Sequence, residues 1–212
     1  MRELRYTLVG DGSSDRALIP IVNWILRAQG TTFALLPYWA EFGYLREPPC
    51  GLVNRLRAAA ELYPCDLLLV HRDCEAAAVV ARQKEIIEAA TNAFNNNGAH
   101  PPVVCIVPKR MTEAWLLISE TVIRRASGNP SGTSALAIPR IRDLESLPDP
   151  KETLFSLLRT ASNLQGRRLN ALNVHTLVHR VAELIDDYSP LRQLSAFIDF
   201  ERQLASALQQ IP

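Results

Sequence analysis

Four short apolar runs alternate with longer segments whose apolar positions recur every three to four residues. The runs at 6–9, 33–39, 67–70 and 103–107 predict β-strands, and the segments at 15–29, 52–63, 76–94 and 113–126 predict helices. Strands that alternate with helices of ten or more residues are typical of a parallel sheet with helices on both faces. The pattern therefore predicts an α/β fold with a parallel sheet of about four strands.

The composition changes after residue 126. Glycine and proline recur through residues 127–150, at Gly128, Pro130, Gly132, Pro139, Pro148 and Pro150. This frequency predicts an irregular connection. Helical periodicity returns at 151–161, 174–185 and 190–208. We therefore predict an α/β core at 1–126, a connection at 127–150 and a helical extension at 151–212, which packs on the core or on a partner.

Charge and cysteine usage exclude several classes of protein. The chain has 23 basic and 22 acidic residues, a formal net charge of +1, which excludes a generally basic nucleic-acid coat. The four cysteines form no CxxC pair, and the four histidines complete no zinc spacing, so reduced thiols are expected. No apolar signal region or long apolar run is present. We expect a soluble cytoplasmic protein with no membrane association.

Acidic residues follow three of the predicted strands. Asp11 ends the first strand, Asp73 and Glu75 follow the third, and Glu113 lies just past the fourth. In open α/β sheets the carboxyl ends of the strands form the ligand-binding edge. Crowded carboxylates repel one another, and hard oxygen ligands suit Mg²⁺ or Mn²⁺. The acids therefore predict a metal site that serves phosphodiester cleavage by in-line displacement.

Several residues near this edge are candidates for binding phosphate. Gly12, Ser13 and Ser14 stand at a predicted helix start, where backbone N–H groups bind anions and serines cap the helix. Lys109 and Arg110 end the fourth strand, in a locally basic stretch that continues to residue 142, and Lys109 is also a candidate catalytic group. Lys151 follows a proline-shaped loop that can return to the same edge.

Each of these residues also has a simpler explanation. Asp11 can cap the first helix, and Asp73 can hydrogen-bond a neighbouring loop. Glu113, like Glu75 and Asp15, can be a first-turn acid that favours the helix dipole. A lone histidine beside a buried strand, such as His71, is usually structural, and Trp115 is more typical of a core than of a base-stacking surface. Coincidence at three strand ends is harder to accept than at one.

Two short motifs resemble those of TOPRIM-domain proteins. They are the acid-Gly-x-Ser-acid turn at residues 11–15 and the Asp-Cys-Glu motif at residues 73–75. Together with segments 69–73, 107–117 and 149–152, they resemble the DUF4276-like family related to OLD nucleases. The resemblance implies a Mg²⁺-dependent nuclease core in which Asp11 is a ligand or general acid/base. It also implies an ABC- or SMC-like ATPase encoded nearby and a role in bacterial defence against phage.

The chain departs from the family pattern in two acids. Asp11 stands where the family usually has glutamate, and Glu75 stands where it has aspartate. Both changes keep the charge, so metal binding is a firmer expectation than turnover. Three hypotheses remain open: a metal-dependent nuclease acting on DNA or RNA, a non-catalytic subunit that binds metal, nucleic acid or a partner, and a receiver-like phospho-acceptor domain. A homo-oligomer is also open.

Overall fold

The protein has one parallel β-sheet with helices on both faces, in a computed structural model that describes residues 2–30, 32–74, 79–94 and 100–211. The strands are β1 (Glu3–Val9), β2 (Ala34–Trp39), β3 (Leu67–His71) and β4 (Val103–Ile106). They lie in the order β2-β1-β3-β4, and every neighbouring pair is parallel. The predicted α/β fold with four parallel strands is confirmed, and it is consistent with a TOPRIM-like architecture.

Side chains alternate between the two faces of the sheet, as the pleat of a strand requires. Leu67 and Leu69 of β3 belong to one hydrophobic cluster, whereas Leu68 and Val70 belong to the cluster on the opposite face. All five residues of β3 are buried, as expected of a central strand covered on both sides. The continuous apolar run in β3 is therefore the sequence signature of a three-layer fold.

Helices cover both faces of the sheet. Helices α2 and α3 contribute to one cluster, and α1 packs on the other face together with helices of the extension. The α-helices among the described residues are α1 (Leu18–Ala28), α2 (Gly51–Leu62), α3 (Val79–Phe94), α4 (Glu120–Ala126), α5 (Pro150–Ser162), α6 (Gly166–Asn170), α7 (Val174–Leu184) and α8 (Ser195–Leu208).

Several predicted helices begin as, or are replaced by, tighter 3₁₀ turns. The helix predicted at 15–29 starts with a 3₁₀ helix at Ser13–Ala17, which is capped by Gly12 and not by a serine. The helix predicted at 113–126 is a 3₁₀ helix at Thr112–Leu116 followed by α4, because Ser119 starts a new helix by accepting a hydrogen bond from the Val122 N–H at 3.3 Å. The segment at 190–208 likewise divides into a 3₁₀ helix, Ser189–Gln193, and α8.

The helical extension shares its core with the sheet. Trp115 is 1% exposed and lies edge-on to Phe197 and stacked on Phe200, at centroid distances of 5.2 and 6.1 Å. The prediction that Trp115 is a core residue is confirmed. The connection at 127–150 is largely irregular but contains a 3₁₀ helix at Ile141–Ser146, which buries Leu144. Across the described residues, no helix combines the length and apolar character that a membrane span needs.

Candidate functional site

The carboxyl ends of β1 and β3 meet where the strand order reverses. The chain passes from β1 to β2 on one side and then returns to place β3 on the other side of β1. Asp11 follows β1 and Asp73 follows β3, so both lie at this switch point, the usual ligand position in open α/β sheets. Beyond the strand ends, the backbones of Cys74 and Lys109 form an isolated parallel β-bridge. The Cys74 carbonyl accepts a hydrogen bond from the Arg110 N–H at 3.1 Å.

Glu113 is the buried acid of this edge. It lies in the 3₁₀ helix after β4 and is 7% exposed. Burial raises the pKa of Glu113, the carboxylates of Asp73 and Asp15 raise it further, and the Lys151 ammonium opposes them. The charges of Asp73 and of Lys151, a candidate phosphate-binding residue, therefore both act on Glu113.

His71 joins the acids of the site, although the sequence suggested only a structural role. Its side chain is fully buried, and its Nδ1–H donates to the Ile106 carbonyl at 3.0 Å. Its Nε2 atom lies 3.3 Å from Asp73 Oδ1, 3.7 Å from Asp15 Oδ1 and 3.4 Å from Thr112 Oγ1. Burial alone lowers the pKa of His71, but the Asp73 hydrogen bond and the charges of Asp15 and Asp73 outweigh it and raise the pKa. We infer an imidazolium that donates from both nitrogens.

Asp15 organises the turn after β1. Its Oδ2 atom accepts hydrogen bonds from the backbone N–H groups of Asp11 and Gly12, at 2.8 and 3.0 Å. Asp15 as a whole is 5% exposed. Gly10 permits this fold-back, because a Cβ there would lie 2.8 Å from Asp15 Cβ. The N–H of Gly12 is therefore occupied by a protein carboxylate, which corrects the expectation that it is free for a phosphate. Ser14 is likewise engaged, since its hydroxyl lies 3.3 Å from Asp15 Oδ1.

Asp11 lies among arginines. Its Oδ1 is 3.3 Å from Arg55 Nη1, and its Oδ2 is 3.0 Å from Arg72 Nε. Arg72 and Arg82 both pair with Glu85 of α3, at 3.2 and 2.8 Å. We call Arg55, Arg72 and Arg82 the guanidinium cluster. It was missed at the sequence level because its members lie on α2, after β3 and on α3, and only the fold gathers them.

The predicted basic residues differ in availability. Lys109 is half exposed and lies 3.9 Å from Glu145, and Arg110, with a left-handed φ of 75°, donates to the Pro148 carbonyl at 3.3 Å. The Lys151 ammonium lies 5.9 Å from the centre of the Phe155 ring, and its charge opposes the rise in the pKa of Glu113. Arg124 does not belong to a nucleic-acid surface, because it is buried and binds Glu120 at 2.6 Å. The basic stretch is therefore divided between buried Arg124 and exposed members, which include Lys109, Arg110 and Arg125.

A small cavity of about 90 Å³ adjoins Glu113. Ser13 and Ser14 border it from the turn after β1, and His175 and His179 border it from α7. Burial lowers the pKa of His179, nearby Arg16 and His175 lower it further, and Glu183 opposes them. The two histidines stand four residues apart on one helix face, a spacing that the sequence showed but that pointed to no site without the tertiary contact.

The donor chemistry fits a hard divalent cation in part. The charge of Asp73 acts on Glu113, and carboxylate oxygens are the ligands that Mg²⁺ and Mn²⁺ prefer. Asp11 is held by guanidinium groups, and Glu75 lies outside the described residues. Within the described ranges, no three His, Cys, Asp or Glu side chains are grouped so that they could hold one ion. A metal site formed by Asp73 and Glu113 therefore stays a prediction.

The chain was compared with protein-family models, curated proteins and solved structures, and none of them matches it. The resemblance to TOPRIM-domain proteins rests on the motifs at residues 11–15 and 73–75. Membership of that family therefore stays a prediction, and function has to be argued from the site itself.

Proposed function

We propose that the protein is a Mg²⁺- or Mn²⁺-dependent phosphodiesterase that cleaves DNA or RNA at the carboxyl edge of the sheet. The observation that carries the proposal is the burial of Glu113 beside Asp73, with a pKa raised by burial and by neighbouring carboxylates. A buried carboxylate of this kind is costly unless a cation balances it. Asp73 and Glu113 would hold the cation, which would supply positive charge to the phosphate oxygens during hydrolysis.

The surrounding residues have distinct roles in this proposal. His71 orients the Asp73 carboxylate, because its Nε2 atom contacts Asp73 Oδ1 at 3.3 Å. Lys151 supplies positive charge next to Glu113, and half-exposed Lys109 stands beside the Asp73 loop, where a phosphate is attracted. Asp11 positions Arg55 and Arg72 to contact the phosphates of the nucleic acid. This role differs from that of a metal ligand, which the resemblance implies.

A cleavage assay tests the proposal. Wild type, Asp73→Asn and Glu113→Gln are incubated with plasmid, single-stranded DNA and tRNA, with Mg²⁺, with Mn²⁺ or with EDTA. We expect metal-dependent cleavage that falls at least a hundredfold in each variant, a loss typical of removing charge stabilisation at a reaction centre. Glu61→Gln, which neutralises an exposed acid of α2, is the matched control and keeps full activity. Cleavage that persists in both site variants contradicts the proposal.

The ion pairs of Asp11 favour a second candidate function. If Asp11 is permanently held by Arg55 and Arg72, the site has fewer free carboxylates than a two-ion nuclease uses. The protein is then a non-catalytic subunit that binds a cation and nucleic acid. Metal-induced thermal stabilisation that requires Asp73, with no cleavage of any substrate, identifies this outcome.

A partner is part of the proposal on the resemblance alone. We propose that an ABC- or SMC-like ATPase encoded nearby acts with this protein in defence against phage. Co-expression of this protein with the ATPase encoded nearby, followed by affinity purification, tests whether the two form a complex. A stable complex that increases cleavage is expected, whereas two proteins that elute separately and cleave independently contradict it.

A further inference from the structure

The sheet ends in two edge strands, β2 and β4. An edge strand presents backbone N–H and C=O groups that no neighbouring strand satisfies, and such a row of groups can pair with another chain. Alternate residues of a strand point these groups to opposite sides, so only every second residue faces outward at an edge. The hydrogen bonds to the inner strand identify the outward residues of each edge.

Helix α8 covers the edge of β4. The Arg72 N–H, just after β3, donates to the Ile106 carbonyl at 3.2 Å, so the even-numbered residues of β4 face β3. Cys105 therefore points outward, and its N–H donates to Gln203 Oε1 of α8 at 3.3 Å. The Gln203 amide donates in turn to Asp199 Oδ2 at 2.8 Å, which orients it. At this position a helix side chain accepts the bond that a fifth strand would accept.

The edge of β2 has the same alternation. The Ala34 N–H donates to the Arg2 carbonyl at 2.9 Å, and the Ala40 N–H donates to the Leu8 carbonyl at 3.0 Å. The even-numbered residues of β2 therefore bond to β1, and the odd-numbered residues point their N–H and C=O groups away from the sheet.

The outward positions of β2 are Leu35, Pro37 and Trp39. Among the described residues, no acceptor is bonded to the N–H of Leu35 or of Trp39. Pro37, between them, has no N–H at all. Proline is confined in sheets to positions of this kind, where it removes no bond to the inner strand. Pro37 is exposed, so packing in the core does not explain its presence.

We propose that Pro37 keeps this open edge from pairing with β2 of a second copy of the protein. In a symmetric antiparallel pair centred on residue 37, the two copies of that residue would exchange both of their N–H···O bonds. Proline supplies neither donor, so two carbonyl oxygens at the centre of the pair would be covered without partners, which is unfavourable. Protection of the edge does not depend on the proposed cleavage of nucleic acid.

Pro37→Val tests the proposal, because it restores the missing N–H and introduces a residue that is typical of strands. A symmetric dimer regains two donors, and each hydrogen bond is worth about a factor of ten in affinity, so the dimer dissociation constant should fall about a hundredfold. Analytical ultracentrifugation over a range of concentrations measures the constant. We expect the wild type to stay monomeric at concentrations where Pro37→Val is a dimer.

Two further variants complete the test. Tyr38→Val, the matched control, introduces the same residue one position along β2, at an exposed side chain whose N–H faces β1. It adds no donor to the edge and should stay monomeric. Pro37→Ala adds the N–H without a branched side chain, so it should also dimerise and decides the question if Pro37→Val does not fold.

Amide hydrogen exchange locates the contact. In the wild type the amides of Leu35 and Trp39 should exchange much faster than those of Leu36 and Tyr38, and in the Pro37→Val dimer they should become protected. Folded Pro37→Val and Pro37→Ala that both stay monomeric overturn the proposal. A variant dimer in which the outward amides stay unprotected overturns it as well, and so does a wild-type dimer in which they are already protected.

Discussion

His71 Nε2 lies 3.3 Å from Asp73 Oδ1, so a fully buried imidazole supports a half-exposed carboxylate at the end of the adjoining loop. The Nδ1–H of the same ring donates to a carbonyl oxygen, which leaves Nε2 as the atom that faces the acids. The contact is favourable when Nε2 also carries a proton, and the neighbouring carboxylates raise the pKa of His71 accordingly. The relationship joins the sheet core to the proposed site.

This arrangement makes stability depend on pH in a defined direction. A histidine whose folded pKa is raised contributes stability that is fully present below its unfolded pKa of about 6.5 and is lost as the pH rises through the folded value. We expect His71→Asn to cost on the order of 2 kcal/mol at pH 6, and less at pH 9. Urea unfolding of both proteins from pH 6 to pH 9 measures the difference. A difference that grows with pH contradicts the imidazolium.

Asp15 is predicted to stabilise the turn after β1. Asp15→Ala removes the acceptor of two backbone N–H groups, and a charged acceptor of this kind is worth about 3 kcal/mol in total. Asp186→Ala, at an exposed acid, is the control and is expected to change stability by less than about 0.5 kcal/mol. Urea unfolding checks both values. Equal stabilities of the two variants contradict the role given to Asp15.

Asp11→Asn separates an arginine-positioning role from a ligand role. Because the Asp11 side chain is 38% exposed, losing its ion pairs is expected to cost less than about 1 kcal/mol. The positive charges of Arg55 and Arg72 are then no longer balanced by Asp11. An oligonucleotide should therefore bind more tightly, with a salt dependence that is steeper by about one phosphate contact. The increase in melting temperature caused by Mg²⁺ should be retained. Its loss in Asp11→Asn identifies Asp11 as a metal ligand, as the family resemblance implies.

The shared core predicts that the extension does not unfold separately. Phe197 is fully buried against Trp115, so Phe197→Ala should destabilise the chain by about 3–5 kcal/mol. Ile198→Ala, at a side chain that is half exposed, should cost less than about 1 kcal/mol. Tryptophan fluorescence and circular dichroism, followed through urea unfolding, should show one common transition. Two separate transitions contradict a common core.

Much of the fold could be predicted because the hydrophobic pattern carries it. The continuous apolar run of β3 indicated a central parallel strand, and the strand ends then fixed the places of Asp73 and Glu113. The 3₁₀ starts were missed because they depend on local hydrogen bonds, such as those of Asp15 to two N–H groups. Periodicity shows which face is buried but does not show how a helix begins.

The chemistry of the site could be predicted only in part. Carboxylates at strand ends are visible in a sequence, whereas the ion pairs of Asp11 with Arg55 and Arg72 join elements far apart in the chain. His71 showed a usable signal, since a histidine inside a fully buried strand must find polar partners. Its neighbours, and hence its role beside Asp73, required the packing of β4 and the 3₁₀ helix after it.

The proposed function requires that Asp73 and Glu113 jointly hold a divalent cation. Isothermal titration calorimetry with Mn²⁺ and Mg²⁺ at pH 7.5 measures this binding in wild type, Asp73→Asn, Glu113→Gln and the control Glu61→Gln, at an exposed acid of α2. We predict binding to the wild type and the control, at least tenfold weaker binding to each site variant, and weaker binding to the wild type at lower pH, because protonation of Glu113 competes with the cation. Equal affinity of all four proteins for both metals contradicts the account.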